Sequence, residues 1–185
     1  TITTTAGWYW VNQGSSSLTV NNGQCVLSIA TGVDALNAII EPAPASTPWT
    51  YTAKVSLNSF VSFAGAGIVL YESATTKAFL ITLLWNAGDI NVQMYPFSNP
   101  TTRGASVSTT VWRLGGTAYM RVQDDGTNLN ISMSPGGDGQ NFYQLFTTLV
   151  STRFTVAPNF IGFGMAPQGT GANIKESMDW LRRTQ

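Results

Sequence analysis

The sequence contains no histidine. That removes the side chain most used as a general base near neutral pH. With it go the Ser-His-Asp and Cys-His arrangements and the commonest metal ligand. There is one cysteine, Cys25, so no internal disulfide forms and the fold does not depend on oxidation. It lies in the apolar run Cys25-Val26-Leu27-Ser28-Ile29, where a buried, inert thiol is expected. Charge is scarce: 10% of residues are charged, against roughly 25% in an average soluble protein. Nine basic and nine acidic residues cancel, leaving no basic surplus to release counterions from nucleic acid. The basic pair Arg182-Arg183 reads as a solvated end. Apolar runs are short: Phe79-Leu80-Ile81 and Leu83-Leu84-Trp85 fall far below the roughly 20 residues of a membrane-spanning helix. Thr1 to Thr5 show neither the basic start nor the apolar core of a secretory signal, and the missing Met reads as processing or trimming.

What remains is a 185-residue chain that is 43% hydrophobic, enough for the core of one domain. Its surface must be covered by Ser, Thr, Asn, Gln and Gly, a habit of extracellular and particle-bound β proteins. Strand signals dominate. Ile90 to Tyr95, Tyr119 to Gln123 and Leu129 to Ser134 alternate apolar and polar residues, as half-buried strands do. Asp125-Gly126 between the last two marks a hairpin over roughly residues 118 to 134. Ile68 to Tyr71 and Phe79 to Trp85 form a second hairpin around the polar loop Glu72 to Lys77. Leu18 to Val20 and Cys25 to Ile29 flank the turn Asn21-Asn22-Gly23. Trp49 to Val55, Gly162 to Met165 and Ser177 to Leu181 complete the set. Asp34 to Ile40 and Phe142 to Leu149 are the best helical candidates, and both are short. Pro96 to Pro100 and Gln168 to Gly171 read as surface loops. The spacing predicts an all-β, two-sheet antiparallel sandwich. Residues 1–12 are read as an N-terminal arm or first strand, and 13–185 as a single jelly-roll domain.

Several stretches, taken in order, carry a resemblance. They are Trp10-Val11-Asn12-Gln13-Gly14, Ser46 to Ala53, Ala66 to Ser73, Tyr119 to Asn128, Ser134 to Phe142, Ile161 to Gly164 and Met178 to Leu181. Together the chain resembles the concanavalin A-like (laminin G-like) jelly rolls of bacteriophage virion structural and tail proteins. It departs from that pattern by the extra glycine at Gly136-Gly137 and by Phe142 in place of Trp. The resemblance implies the jelly-roll architecture and a place on the particle surface, with other virion proteins or copies of itself as partners. It transfers no ligand and no binding residue.

Tests for chemistry give little. Glucanases on this fold use Glu-x-Asp-x-x-Glu on one strand, and retaining hydrolysis needs two carboxyls about 5–5.5 Å apart. No such run occurs. In Glu176-Ser177-Met178-Asp179 the two acids point to opposite faces of a strand. Asp124, Asp125 and Asp138 lie in neighbouring turns and are weak candidates for calcium, or simply turn formers. No cofactor is implied. A glycan would want aromatic faces beside amides. Asn91, Gln93 and Tyr95 on one strand offer such a face; Tyr71, Trp85 and Arg121 are the candidates to join it. The alternative is a solvated or packed sheet. Trp8, Tyr9 and Trp10 suit docking on a partner protein or packing as a first strand. The leading expectation is a non-enzymatic virion structural protein, in capsid decoration, tail or fibre. The alternative is a carbohydrate-binding module for host or environmental glycans.

Overall fold

The computed structural model describes residues 7–29, 34–135, 139–167 and 174–184. The strands run β1 (Tyr9–Val11), β2 (Ser17–Asn21), β3 (Gln24–Ile29), β4 (Asn37–Pro42), β5 (Trp49–Leu57), β6 (Ala64–Tyr71), β7 (Ala78–Asn86) and β8 (Asp89–Asn99). They continue with β9 (Thr102–Arg103), β10 (Ser108–Val111), β11 (Thr117–Asp124), β12 (Asn128–Pro135) and β13 (Tyr143–Leu149). One helical turn, α1 (Val150–Arg153), precedes β14 (Phe160–Met165) and β15 (Ile174–Thr184). The first sheet has the order β1-β4-β14-β6-β7-β8-β10, with β9 paired to β8. The second has the order β13-β12-β11-β5-β15-β3-β2. All these pairs are antiparallel, and the result is a two-sheet jelly-roll sandwich.

The second sheet shows how alternation places its residues. On β11, Ala118, Met120 and Val122 are buried, while Tyr119, Arg121 and Gln123 point away from the core. Val55, Ile131 and Met133 continue the inward face and meet Ile68, Phe79, Ile81, Leu83, Met94 and Phe163 of the first sheet. The outward face is polar. There Lys54 donates to Asp179 at 2.7 Å, and Arg121 lies 3.5 Å over the Phe142 ring.

The first sheet is buried on both faces, which is why its strands do not alternate. β6 is buried from Ala64 to Leu70 and β7 from Ala78 to Leu84. The outward residues Val11, Ala38, Ile40, Val69, Leu80, Leu84, Tyr95 and Phe97 form a second apolar cluster.

Three expectations are corrected. Asp34 to Ile40 is not helical: Asn37–Pro42 is β4, held between β1 and β14. Phe142 to Leu149 is the edge strand β13. Pro96 to Pro100 is not a loop throughout, since β8 extends to Asn99. Gln168 to Gly171 lies outside the described residues. Of the two readings of the N-terminus, the structure shows a first strand, β1, paired to β4.

Candidate functional site

The site is built on the outward face of the first sheet. Registers align its residues in rows across the strands. One row is Ile40, Gly162, Val69, Leu80 and Tyr95; the next is Ala38, Gly164, Gly67, Thr82, Gln93 and Thr109. A third holds Gly65, Leu84, Asn91 and Val111. Gly65, Gly67, Gly162 and Gly164 stand together in the middle of a curled sheet, all four buried, with the Leu84 side chain against Gly65 and the Val69 and Ala38 side chains against Gly164. A Cβ on Gly67 would collide with the Ile81 carbonyl, and one on Gly162 with the Ile39 carbonyl. Glycine here marks close approach of neighbouring backbones.

Polar side chains stand along one side of these glycines. Thr82 is 2% exposed, Asn91 6% and Gln93 8%. Thr82 donates its hydroxyl to the Leu83 carbonyl, and Asn91 donates Nδ2 to the Asp89 carbonyl at 3.3 Å. The Gln93 side-chain amide makes no hydrogen bond among the described residues. Its amide atoms are not among the buried unpartnered ones, so they reach solvent and are open to water or to a ligand hydroxyl.

One end of the face is clasped. Arg103 donates Nε to Asp34 Oδ1 at 2.8 Å and Nη2 to Asp34 Oδ2 at 2.9 Å. Its guanidinium sits 4.7 Å from the centre of the Tyr95 ring. The Leu36 amide donates to the Pro100 carbonyl at 2.7 Å. These contacts leave Tyr95 only 4% exposed and Leu36 fully buried. Both ends of the ion pair are solvent-accessible, so Asp34→Asn is expected to lower the unfolding free energy by only about 0.5–1 kcal/mol. Urea denaturation of the two proteins checks this.

The residues singled out from sequence separate. Asn91, Gln93 and Tyr95 do share the outward face, and Tyr71 joins them near Phe160, with ring centres 6.4 Å apart. Burial raises the Tyr71 phenol above its ordinary pKa. Trp85 does not join: it takes the inward face, edge-on to Phe60 at 5.3 Å. Arg121 does not join either, because β11 belongs to the second sheet; there it also donates Nε to Thr52. Tyr95 is covered by Arg103, so no ring face of it lies open for stacking.

Trp8 and Trp10 pack against the core, and Tyr9 is 51% exposed, edge-on to Phe160. Trp8, Leu18, Cys25, Ile39 and Met178 line a small apolar cavity of about 120 Å³. Burial raises the Cys25 thiol pKa, away from reactivity. Asp124 accepts from the Gly126 amide. Asp125 accepts from the Thr127 and Asn128 amides and from the Asn128 and Asn130 side chains. Both carboxylates are thus turned to their own hairpin, and Asp138 lies outside the described residues. Those hydrogen bonds lower the Asp125 pKa, while burial raises that of Asp124.

Sequence reading missed the glycine cluster, Thr109 and the Arg103 clasp. It weighed Glu176 only as one of a carboxylate pair and missed its burial: Glu176 is fully buried with Oε2 accepting from the Asn58 amide at 2.6 Å and Oε1 unpartnered. The pattern G-A-G beginning at Gly65 and G-F-G beginning at Gly162 was the available signal, since glycines two apart on a strand share a face.

No protein-family model matches the sequence, and no curated protein does. Solved structures do. A functionally unknown protein from Saccharomyces cerevisiae is similar with 14% identity and TM-score 0.73, over 96% of each chain. The GH43 BlXynB protein from Bacillus licheniformis is similar with 15% identity and TM-score 0.72. That match covers 96% of this chain but 36% of that one, so this chain spans about a third of its length. The carbohydrate-binding module CBM66 from Bacillus subtilis is similar with 10% identity and TM-score 0.61, over 98% of each chain. At such identities the likeness shows the fold, a β-sandwich jelly roll. None of these three is a virion protein, and the expected particle setting gains nothing from them.

Proposed function

We propose that this chain is a carbohydrate-binding module that reads a glycan on the outward face of its first sheet. The observation that carries the reading is Gln93. Gln93 is 8% exposed as a residue, and its side-chain amide is unpartnered among the described residues, beside Asn91, Thr82 and Thr109. An amide supplies both donor and acceptor for hydroxyls. A fold match to CBM66 along nearly the whole of both chains supports this reading over the particle one.

Binding without cleavage is the reading that the acids on this face support among the described residues. On this face Asp34 is tied to Arg103, which registers with Phe97, and Asp89 opens β8. Asp89 and Phe97 are eight residues apart, about 26 Å of strand. Paired carboxyls of glycoside hydrolases stand roughly 5–9.5 Å apart.

Screening on an immobilised glycan array, then calorimetric titration of the best binder, tests the proposal. Gln93→Ala is expected to weaken binding about tenfold, the equivalent of about 1.4 kcal/mol for the lost hydrogen bonds. Its thermal midpoint should stay within about 2 °C of wild type, since no internal bond is lost. Binding that ignores Gln93→Ala, or an array with no binder, overturns it. A second reading, display on a particle with contacts to virion proteins or to copies of itself, draws on the exposed Tyr9 of edge strand β1.

A further inference from the structure

Beyond the clasp, three cations from separate segments meet. Lys77 comes from the loop between β6 and β7, Arg103 from β9 and Arg153 from α1. They line a cleft of about 290 Å³ with Pro96, Phe97 and Thr102. No Asp or Glu lines it among the described residues. Three of the nine cations of a chain with zero net charge stand here. Mutual repulsion disfavours such a grouping unless something of opposite charge offsets it.

The internal partners do not do so. Arg103 is balanced by Asp34. Lys77 donates to the neutral Thr155 hydroxyl at 2.8 Å. Arg153 donates Nε to the Thr148 hydroxyl at 3.1 Å, and its guanidinium lies 5.5 Å from the Phe79 ring and 5.9 Å from the Phe146 ring. Neither Lys77 nor Arg153 has a carboxylate partner among the described residues. Glu72, on the loop that carries Lys77, is buried and turned to the Thr155 and Val156 amides. It holds the segment that holds Lys77, bonding the same Thr155, and makes no direct ion pair with the ammonium.

The size and walls of the cleft narrow the class of anion. Its volume is at the low end of small-molecule sites, about 300 Å³, and larger than an inorganic anion needs. Pro96 supplies apolar wall, while Phe97, 2% exposed, closes the cleft from behind. A guanidinium fork and an ammonium suit a carboxylate. The cleft adjoins the proposed glycan face, because Arg103 belongs to both.

We propose that this cleft binds the carboxylate of a uronic acid residue, so that the module selects acidic over neutral glycans. The inference rests on the glycan-binding reading above and gives it a substrate class.

The test is calorimetric titration of the full chain with trigalacturonate and trimannuronate, each against its carboxyl-reduced neutral form. Wild type, Lys77→Gln, Arg153→Gln and Gln93→Ala are compared, at 50 and 500 mM NaCl for the wild type (about 14 and 4 Å of Debye length). At least one acidic trisaccharide is expected to bind about tenfold more tightly than its neutral form. Lys77→Gln and Arg153→Gln should each remove most of that preference, and high salt should narrow it. Lys77→Gln is the cleaner variant, since its one hydrogen bond is to an exposed hydroxyl. Equal binding of acidic and neutral forms, or an acidic preference that survives both substitutions, overturns the inference. If the neutral forms bind and depend on Gln93, the glycan reading stands and only the uronate class falls. If no trisaccharide binds and the array is empty, both fall.

Discussion

Gly67→Ala is expected to destabilise the protein by about 3 kcal/mol or more, at the upper end for a single added methyl. The reason is geometric. The new Cβ would fall within the Ile81 carbonyl group, with the Thr82 Cα also 2.9 Å away. The obstructing atoms are backbone of β7, so no rotamer change relieves the contact. Parting β6 from β7 would disturb Ile68 and Ile81, which register with each other inside the core. Native stabilities are about 5–15 kcal/mol, so this one substitution removes a large share. Gly116→Ala is the control. Its Cβ would sit 3.6 Å from the Phe60 ring and 3.8 Å from Leu57 Cβ, which is ordinary contact. Its effect should stay within about 0.5 kcal/mol. Urea unfolding at constant m-value measures both, and a Gly67→Ala loss below about 1 kcal/mol would contradict the close approach of β6 and β7.

The second large effect is on pH. Glu176 lies inside the sandwich, and burial pushes its pKa from 4.5 up to about 8, against the opposing pull of the Asn58 and Ser59 amides. The folded protein therefore keeps this proton where the unfolded chain has lost it. Its contribution is full below pH 4.5, and stability falls as pH rises through the window up to about 8. At about 1.4 kcal/mol per pH unit, the loss between pH 5 and 8 is roughly 4 kcal/mol. Glu176→Gln keeps an acceptor for the Asn58 amide and carries no titrating proton. The variant should lack this part of the pH dependence and be the more stable protein at pH 8. Urea unfolding of both proteins at pH 5 and pH 8 isolates the residue, because Asp124 and Asp125 titrate alike in the two. Parallel curves would show that Glu176 is not held as an acid.

The legible parts of the fold were those with one wet face. β11 and β12 alternate because the second sheet is polar outside, and Asp125-Gly126 marks their turn. The two helical misreadings share a cause. Leu36, Ile39 and Ile40 stand at i, i+3 and i+4, and Phe142, Leu145, Phe146 and Leu149 extend the same spacing to i+7. On β4 that pattern arises because both faces are buried, so apolar residues need not alternate. On β13 it arises at an edge strand whose register with β12 shifts between Ile131 and Ser132. Trp85 was assigned to the wrong face for the first of these reasons: the run Phe79 to Trp85 carries no period from which to read direction.

The site was legible on β8, where Asn91, Gln93 and Tyr95 stand two apart. The clasp was not, since Asp34 and Arg103 are 69 residues apart and neither lies in a motif. The carboxylate of Glu176 was equally hidden, because its partner amide lies 118 residues away. The stretches that resembled virion proteins are those of a jelly roll, and they carried its architecture; the similar solved structures add nothing to the particle setting.

The position of β15 also dictates when this protein can fold. Residues 174–184 lie between β3 and β5, so the second sheet is two unconnected pieces until they arrive. The ion pair that spans the join links Lys54 to Asp179 across 125 residues of chain. During synthesis the facing edges of β5 and β3 therefore stay unpaired until residues 174–184 are made. Assembly belongs to the slow class governed by distant pairings, in milliseconds to seconds, and the partly made chain is the species most in need of a chaperone.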